Sequence, residues 1–464
     1  MQNIFQRYEE KYKRPVGRYN IYREWEGKYT RRVNKIRENP NPALLKSNLL
    51  EYEILRDEAV EEAETFESGS KEPVLYCNAN TPDRFFKAMG FRTNNIEFNA
   101  DRLTRDQVER YFALGRAHGF TDNTCDRVFL THTTGICGDY PPPDIVFATV
   151  CDCELITSQA MLSAARYWGV PLIGIDMPFI EEAEMGPAEY LDAIKFMRRQ
   201  MEEIIKTCED MFPGRIKYDA DKLEEYQVMD REFSKAGQDV MRLIANARPC
   251  PISGRDALRM APNHIVGDPR VAEYMRQFRD EVKERIRQGI SPLKDNIERF
   301  RLYWMCSAPF FEDPFSFLEA RGVSNPLYEE SAFGANLRYT VRNYEEAERR
   351  FGRRLRDPLE EEAAVNATNH WAGSGNRRIS EVLYHCREFG IDGIVHFMLQ
   401  GCLPLNNIER ITGERAEKEL GVKNFYMRDV HCQDMERFNE AEFEANLWDW
   451  LEMCLAEKES RRKH

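Results

Sequence analysis

Four of the twelve cysteines stand where a reactive or metal-binding sulfur would be useful. Cys125, Cys151, Cys153 and Cys402 each lie at the edge of a predicted element, beside turn residues. Cys208, Cys386 and Cys454 instead fall inside helical patterns and read as small buried hydrophobes. A thiol at a strand-to-helix turn feels the N–H groups of the helix start, which lower its pKa and favour an anionic ligand. Soft thiolates select zinc, copper(I) or iron–sulfur clusters. Structural zinc sites draw on CxxC pairs, which this chain lacks, and the CxC at 151–153 is awkward for two bonds to one zinc. Dispersed single cysteines that converge on a crevice suit an iron–sulfur cluster with one iron left open. The rival chemistry is a cysteine nucleophile assisted by His132, His396 or His431.

The elements that must position these sulfurs follow from hydrophobic spacing. A buried parallel strand at 145–150 leads through Cys151-Asp152-Cys153 into a helix at 155–168, closed by Gly169, and then into a second strand at 170–175. This is a β-α-β unit with two thiols at the carboxyl end of its first strand, where open α/β sheets bind ligands. Around it the chain divides into a polar helical extension at 1–70, a first α/β domain at 71–181, a helical hinge or insert at 182–298 and a second α/β domain at 299–464. In the extension, Tyr8, Tyr12, Tyr19, Tyr22 and Trp25 form a stripe expected to pack on its own domain, and the acidic run at 51–67 reads as a solvated helix face. Thr81 reads as the cap of a short helix with Pro82 at its first position. In the second half an apolar strand again ends in cysteine, at Gly401-Cys402, while the charged stretch 340–368 reads as an exposed excursion. The expected fold is α/β, with two parallel-sheet, flavodoxin- or Rossmann-like domains.

Net charge of −13 argues against broad binding to a nucleic-acid backbone. No apolar run approaches the ~20 residues of a membrane span, and the first residues lack an apolar signal core, so a cytoplasmic protein is expected. P-loop, dinucleotide, GxSxG and HExxH motifs are absent. The Gly/Ser turn WAGSGNRR at 371–378 reads as a helix lead-in, with phosphate binding as the alternative.

Five segments in order then carry a resemblance: EPVLYCNANTPDRFFKAMGF, DNTCDRV, PPPDIVFATVCDC with GVPLIGIDMPF, GIDGIVHFMLQGCLP, and FYMRDVHCQDMERFNEAEFEANLWDWLEM. Over roughly 72–457 the chain resembles the 2-hydroxyacyl-CoA dehydratase family of the 2-hydroxyglutaryl-CoA dehydratase D-component type, which includes the benzoyl-CoA reductases. The resemblance implies an iron–sulfur subunit holding a 4Fe-4S cluster through Cys125, Cys151 and Cys402, with Cys153 as the alternative to Cys151. It implies a lyase that passes one electron to an acyl-CoA thioester and expels the hydroxyl from the resulting ketyl radical. A benzoyl-CoA reductase subunit or a non-catalytic partner subunit are its variants. The implied partners are a second, homologous iron–sulfur subunit, an ATP-dependent iron–sulfur activator protein and the acyl-CoA substrate. Where family members often have Cys-Ser/Gly-Tyr, this chain has Cys125-Asp126-Arg127, and Arg127 is expected to hold a carboxylate or CoA group or to offset thiolate charge. Arg377, Arg378 and the arginines at 353–356 are candidates for the CoA phosphates.

Overall fold

Alternation of aromatic and charged residues at helical spacing produces α1 (Ile21–Glu38), which pairs with α2 (Asn48–Ser68) as a hairpin. The computed structural model describes residues 19–121, 123–150, 154–178, 187–260, 266–305, 315–329, 348, 352–368, 375–431, 433–434 and 437–462. Asn20 caps α1 by accepting the Tyr22 amide. Tyr22 and Trp25 bury against Tyr140, with ring centroids 5.8 and 6.3 Å away, so the described part of the aromatic stripe packs on its own chain. Tyr8 and Tyr12 lie outside the described residues. The acidic run is not wholly a solvated face: Glu51 is only 5% exposed and ion-paired with Arg259, and Ile54 joins a core cluster with Tyr274 and Phe278. A partner arginine far away in sequence is what lets that carboxylate leave water.

The first sheet is built from β1 (Val74–Cys77), α3 (Asp83–Met89), β2 (Arg92–Asn95), α4 (Ile96–Ala100), α5 (Arg105–Ala117), α6 (Asp126–Cys137), β3 (Ile145–Val150), α7 (Glu154–Trp168) and β4 (Leu172–Asp176). All neighbours pair parallel, in the order β2-β1-β3-β4. β1 and β3 are apolar and buried, as parallel strands covered on both faces must be. β2 reads Arg-Thr-Asn-Asn, without any apolar signal, and is held by its side chains; Asn95 Nδ2 donates to the Asn78 carbonyl at 2.9 Å. Helix α3 starts one residue later than expected, with Pro82 in the cap position, because the Thr81 hydroxyl bonds Asn78 Oδ1 (3.3 Å).

Three long helices follow. α8 (Pro187–Met211) buries Ile194, Met197 and Met201 against Leu75 of β1 and Phe147 of β3. α9 (Ala220–Asn246) packs along α11 (Pro269–Gln288), with the short α10 (Gly254–Ala257) between them in sequence.

The second sheet comes from β5 (Phe300–Met305), α12 (Ser316–Glu319), β6 (Val323–Tyr328), α13 (Pro358–Ala367), α14 (Gly375–Phe389), β7 (Gly393–Leu399), α15 (Leu403–Leu420) and β8 (Lys423–Val430), closed by α16 (Glu440–Arg462). Its order, β6-β5-β7-β8, repeats the first, again all parallel. The chain is therefore α/β with two parallel sheets of one topology. In the described end of the charged stretch 340–368, Arg354 and Arg356 are exposed as expected, but α13 is not: Glu360, Glu361 and Glu362 are each 1% exposed. Each meets an arginine, at 2.8 Å (Arg353), 2.6 Å (Arg231) and 3.2 Å (Arg84), and so is buried as one half of a pair.

Candidate functional site

Shared strand order gives both sheets the same switch point, between first and third strands, where successive connections leave in opposite directions. The described residues beyond that edge are 78–80 after β1 in the first sheet and 400–402 after β7 in the second; in sequence, Cys151 comes next after β3 and Cys306 next after β5. Cys151, Cys153, Cys306 and Cys432 lie outside the described residues; Cys125 and Cys402 are described.

Both described cysteines are helix N-caps. Cys125 precedes α6 and Cys402 precedes α15, and neither side chain makes a capping hydrogen bond. Their carbonyls accept the first helical bonds, from the amides of Phe129 and Asn406, both at 3.0 Å. Each sulfur thus belongs to the end of a helix where the dipole favours an anion.

The two turns touch. Gly401 has φ +71°, and a Cβ there would lie 2.6 Å from the Asn123 carbonyl oxygen and 2.8 Å from Thr124 Cα and C. Only glycine lets the turn before Cys402 press onto the backbone that leads into Cys125. Cys125 packs against the apolar cluster of the second lobe that contains Cys402, Phe397 and Val430.

A polar clasp holds this contact. Asp126, 3% exposed, accepts the amides of Gln433 (2.8 Å) and Asp434 (3.0 Å), and its other oxygen lies 2.9 Å from His431 Nδ1. Asp434 in turn ion-pairs with Arg116, and Gln433 Nε2 donates to the Ala100 carbonyl at 3.2 Å. Arg127 gives its fork to Asp101, at 3.1 and 2.7 Å. Of the roles expected of it, the structure shows its guanidinium holding a carboxylate, one of the protein's own.

Of the three histidines, His431 approaches Cys125 through its bond to Asp126. His132 stacks on Phe120 at 4.1 Å, and burial pushes its pKa down to about 4. His396 is fully buried between Glu409 (3.2 Å) and Asn424 (2.9 Å), a structural position. The candidate phosphate arginines are also engaged. Arg378 forks onto the buried Glu329 at 2.6 and 2.5 Å, Arg377 donates to the Thr368 carbonyl, and Arg353 holds Glu360. Burial pushes the thiols of Cys208, Cys250 and Cys386 up to about 12 and that of Cys454 to about 11, which keeps them protonated hydrophobes.

A cavity of about 240 Å³ opens at the carboxyl end of β1, between the β1–α3 turn and helices α9, α11 and α13. It lies one strand from β3: Thr149 N donates to Asn78 Oδ1 at 2.8 Å, and Asn78 Nδ2 donates back to the Thr149 carbonyl at 3.1 Å. Among the described residues no three His, Cys, Asp or Glu side chains converge as a metal site; of the four candidate ligands they include the pair Cys125 and Cys402.

Residues 78–431 match the family described as 2-hydroxyglutaryl-CoA dehydratase, D-component. The chain belongs to that family. The match begins just after β1 and stops just after β8, so it includes the touching turns, Asp126 and His431 but not Gln433 and Asp434. The (R)-2-hydroxyisocaproyl-CoA dehydratase alpha subunit of Clostridioides difficile is 26% identical over 169 residues, covering 35% of this chain and 39% of that protein. Among the described residues of this D-component family member, no helix is long and apolar enough to cross a membrane. Sequence reasoning missed Asp126, Gln433 and Asp434 as a group, because their bonds span more than 300 positions. The one local signal was an aspartate at the first position of a helix, where a carboxylate is favoured for other reasons.

Proposed function

We propose that this chain is the iron–sulfur subunit of a 2-hydroxyacyl-CoA dehydratase-type enzyme, with Cys125, Cys402 and Cys151 (or Cys153 in its stead) as ligands of a 4Fe-4S cluster. The observation that carries the reading is the seating of Gly401-Cys402 on the backbone before Cys125. It brings into contact the turns that carry two cysteines, one from each sheet's half of the chain, each at a helix N-terminus suited to a thiolate. The third ligand follows β3 directly, and β3 holds the place in its sheet that β7 holds in the other. Two sulfurs from separate turns, without a CxxC pair, fit a cluster better than a structural zinc.

When bound, such a cluster supplies a single low-potential electron to the thioester carbonyl of a 2-hydroxyacyl-CoA, whose ketyl radical loses the hydroxyl. The chain's own part is positional. Asp126, bonded to His431 and to the amides of Gln433 and Asp434, would keep the turns that carry the cysteines together. A second subunit is supported by the relative's designation as an alpha subunit; in this reading it is a homologous iron–sulfur subunit, and an ATP-dependent activator would deliver the electron. The test is anaerobic purification with any co-purifying subunit, followed by assay with 2-hydroxyacyl-CoA, activator and ATP. Loss of water from the substrate is expected. Reduction of an aromatic acyl-CoA without dehydration would replace this reading with the ring-reducing one.

A further inference from the structure

The cavity at the end of β1 has walls of two kinds. Phe98, Met229, Phe233, Val271 and Val365 give it an apolar lining, while Asp83, Asp230, Asp268 and Glu362 bring four carboxylates to it against the single guanidinium of Arg84. Arg84 is already committed, 2.6 Å from Asp230 and 3.2 Å from Glu362. Asp268 caps α11 and holds Arg270 at 2.7 Å. Asp83 meets Lys87 through one oxygen at 3.6 Å, and its other oxygen is buried and accepts no hydrogen bond from any described residue. Arg270 is shared with Asp57 at 2.7 Å, so the carboxylates outnumber the cations, and one acceptor oxygen of Asp83 has no donor among the described residues. An acceptor in that state calls for an N–H or O–H from an occupant.

Size and place narrow the occupant. About 240 Å³ is far above the ~10–15 Å³ that one water needs and below the ~300 Å³ of a drug-sized site, which suits the end of a short chain. Gly267 (φ +93°) helps set the wall: a Cβ there would come within 2.9 Å of Tyr226 Cε1. The mutual bonds of Asn78 and Thr149 tie the β1 end of the cavity to β3, the strand that Cys151 follows in sequence.

We propose that this cavity receives the far end of the acyl chain and selects an end that donates hydrogen bonds, an ammonium best, against one that ends in carboxylate. This rests on the acyl-CoA reading above and names the substrate class within it. Methylenes lie on the apolar wall, the terminal donor reaches Asp83, and a terminal carboxylate meets like charge where carboxylates outnumber cations. A dicarboxylic acyl group such as 2-hydroxyglutaryl is therefore a poor fit to this family member.

Titration calorimetry on the anaerobically purified full chain, with any co-purifying subunit, would compare 5-amino-2-hydroxypentanoyl-CoA with 2-hydroxyglutaryl-CoA, which share a five-carbon acyl chain. Free n-butylammonium and butyrate serve as probes without CoA. The ammonium thioester is expected to bind at least tenfold tighter, and Asp83→Asn to remove most of that preference. Equal binding, or tighter binding of the dicarboxylic thioester, overturns the proposal and leaves the acyl-CoA reading standing. If neither thioester binds while n-butylammonium still does and butyrate does not, the acyl-CoA reading fails and the cavity's choice of charge survives. Binding by none of the four overturns the proposal. The wild-type comparison decides even if the variant does not fold.

Discussion

Helices α6 and α15 both begin at a cysteine, one leading into the third strand of its sheet and the other leaving the third strand of its own. They are held in different ways. α6 is buried on almost every side, and its first residue, Asp126, is bonded to the opposite lobe. α15 is tied within its own lobe, where Glu409 reaches His396 on β7, and its outer face carries the pairs Arg410–Glu414 and Arg415–Glu419. Such exposed pairs are screened by solvent and do not decide where the helix sits. Repeated topology determines where each cysteine emerges; the bonding of one helix across the lobes determines whether the cysteines meet.

Four substitutions would break or sharpen that contrast. The largest loss is expected from Arg378→Met, which strands the buried Glu329 and should cost about 3–5 kcal/mol in chemical denaturation. A neutral result would return Arg378 to the list of phosphate contacts. Gly401→Ala should cost about 2–4 kcal/mol, from a positive φ and a Cβ forced onto Thr124, and should lower iron content. Gly421→Ala, at φ +72° with nothing near its Cβ, should show only the backbone part, about 1 kcal/mol, with iron unchanged. Asp126→Ala leaves the buried amides of Gln433 and Asp434 without an acceptor, a loss of about 2 kcal/mol that limited proteolysis should report as faster cleavage near 430–434.

The smallest effect at neutral pH belongs to His132. Its folded-state pKa is depressed from 6.5 to about 4, so the unfolded chain takes the proton first as pH falls. Stability from this group is therefore intact above 6.5 and lost progressively toward 4, and His132→Phe, which keeps the stack on Phe120, should flatten that limb of the pH–stability curve.

Strands β3 and β7 were legible as short apolar runs closed by turn residues, because a parallel strand covered on both faces leaves that mark, and β4, largely exposed, was legible from its apolar run alone. β2 was not, since Asn95 and its neighbours are held by side-chain bonds that have no hydropathic signature. Charged runs misled for one reason: Glu51 and Glu360–362 are buried by arginines at 259, 353, 231 and 84, most of them remote in sequence. The position of Cys125 and Cys402 at element edges could be read locally; their meeting could not, because it depends on a glycine seated against a backbone almost 280 residues away. The cavity was invisible for the same reason, as its carboxylates come from four different helices or turns.

The central claim is that sulfurs from both lobes hold iron at one crevice, and the most direct measurement is iron per chain after anaerobic purification. Wild type and Cys386→Ser, whose thiol is a buried hydrophobe, are predicted to carry about four irons with the paramagnetic signal of a reduced cluster. Cys125→Ser and Cys402→Ser are predicted to lose most of that iron and signal while keeping their fold. Full iron in Cys402→Ser, or zinc in place of iron in the wild type, would contradict the account.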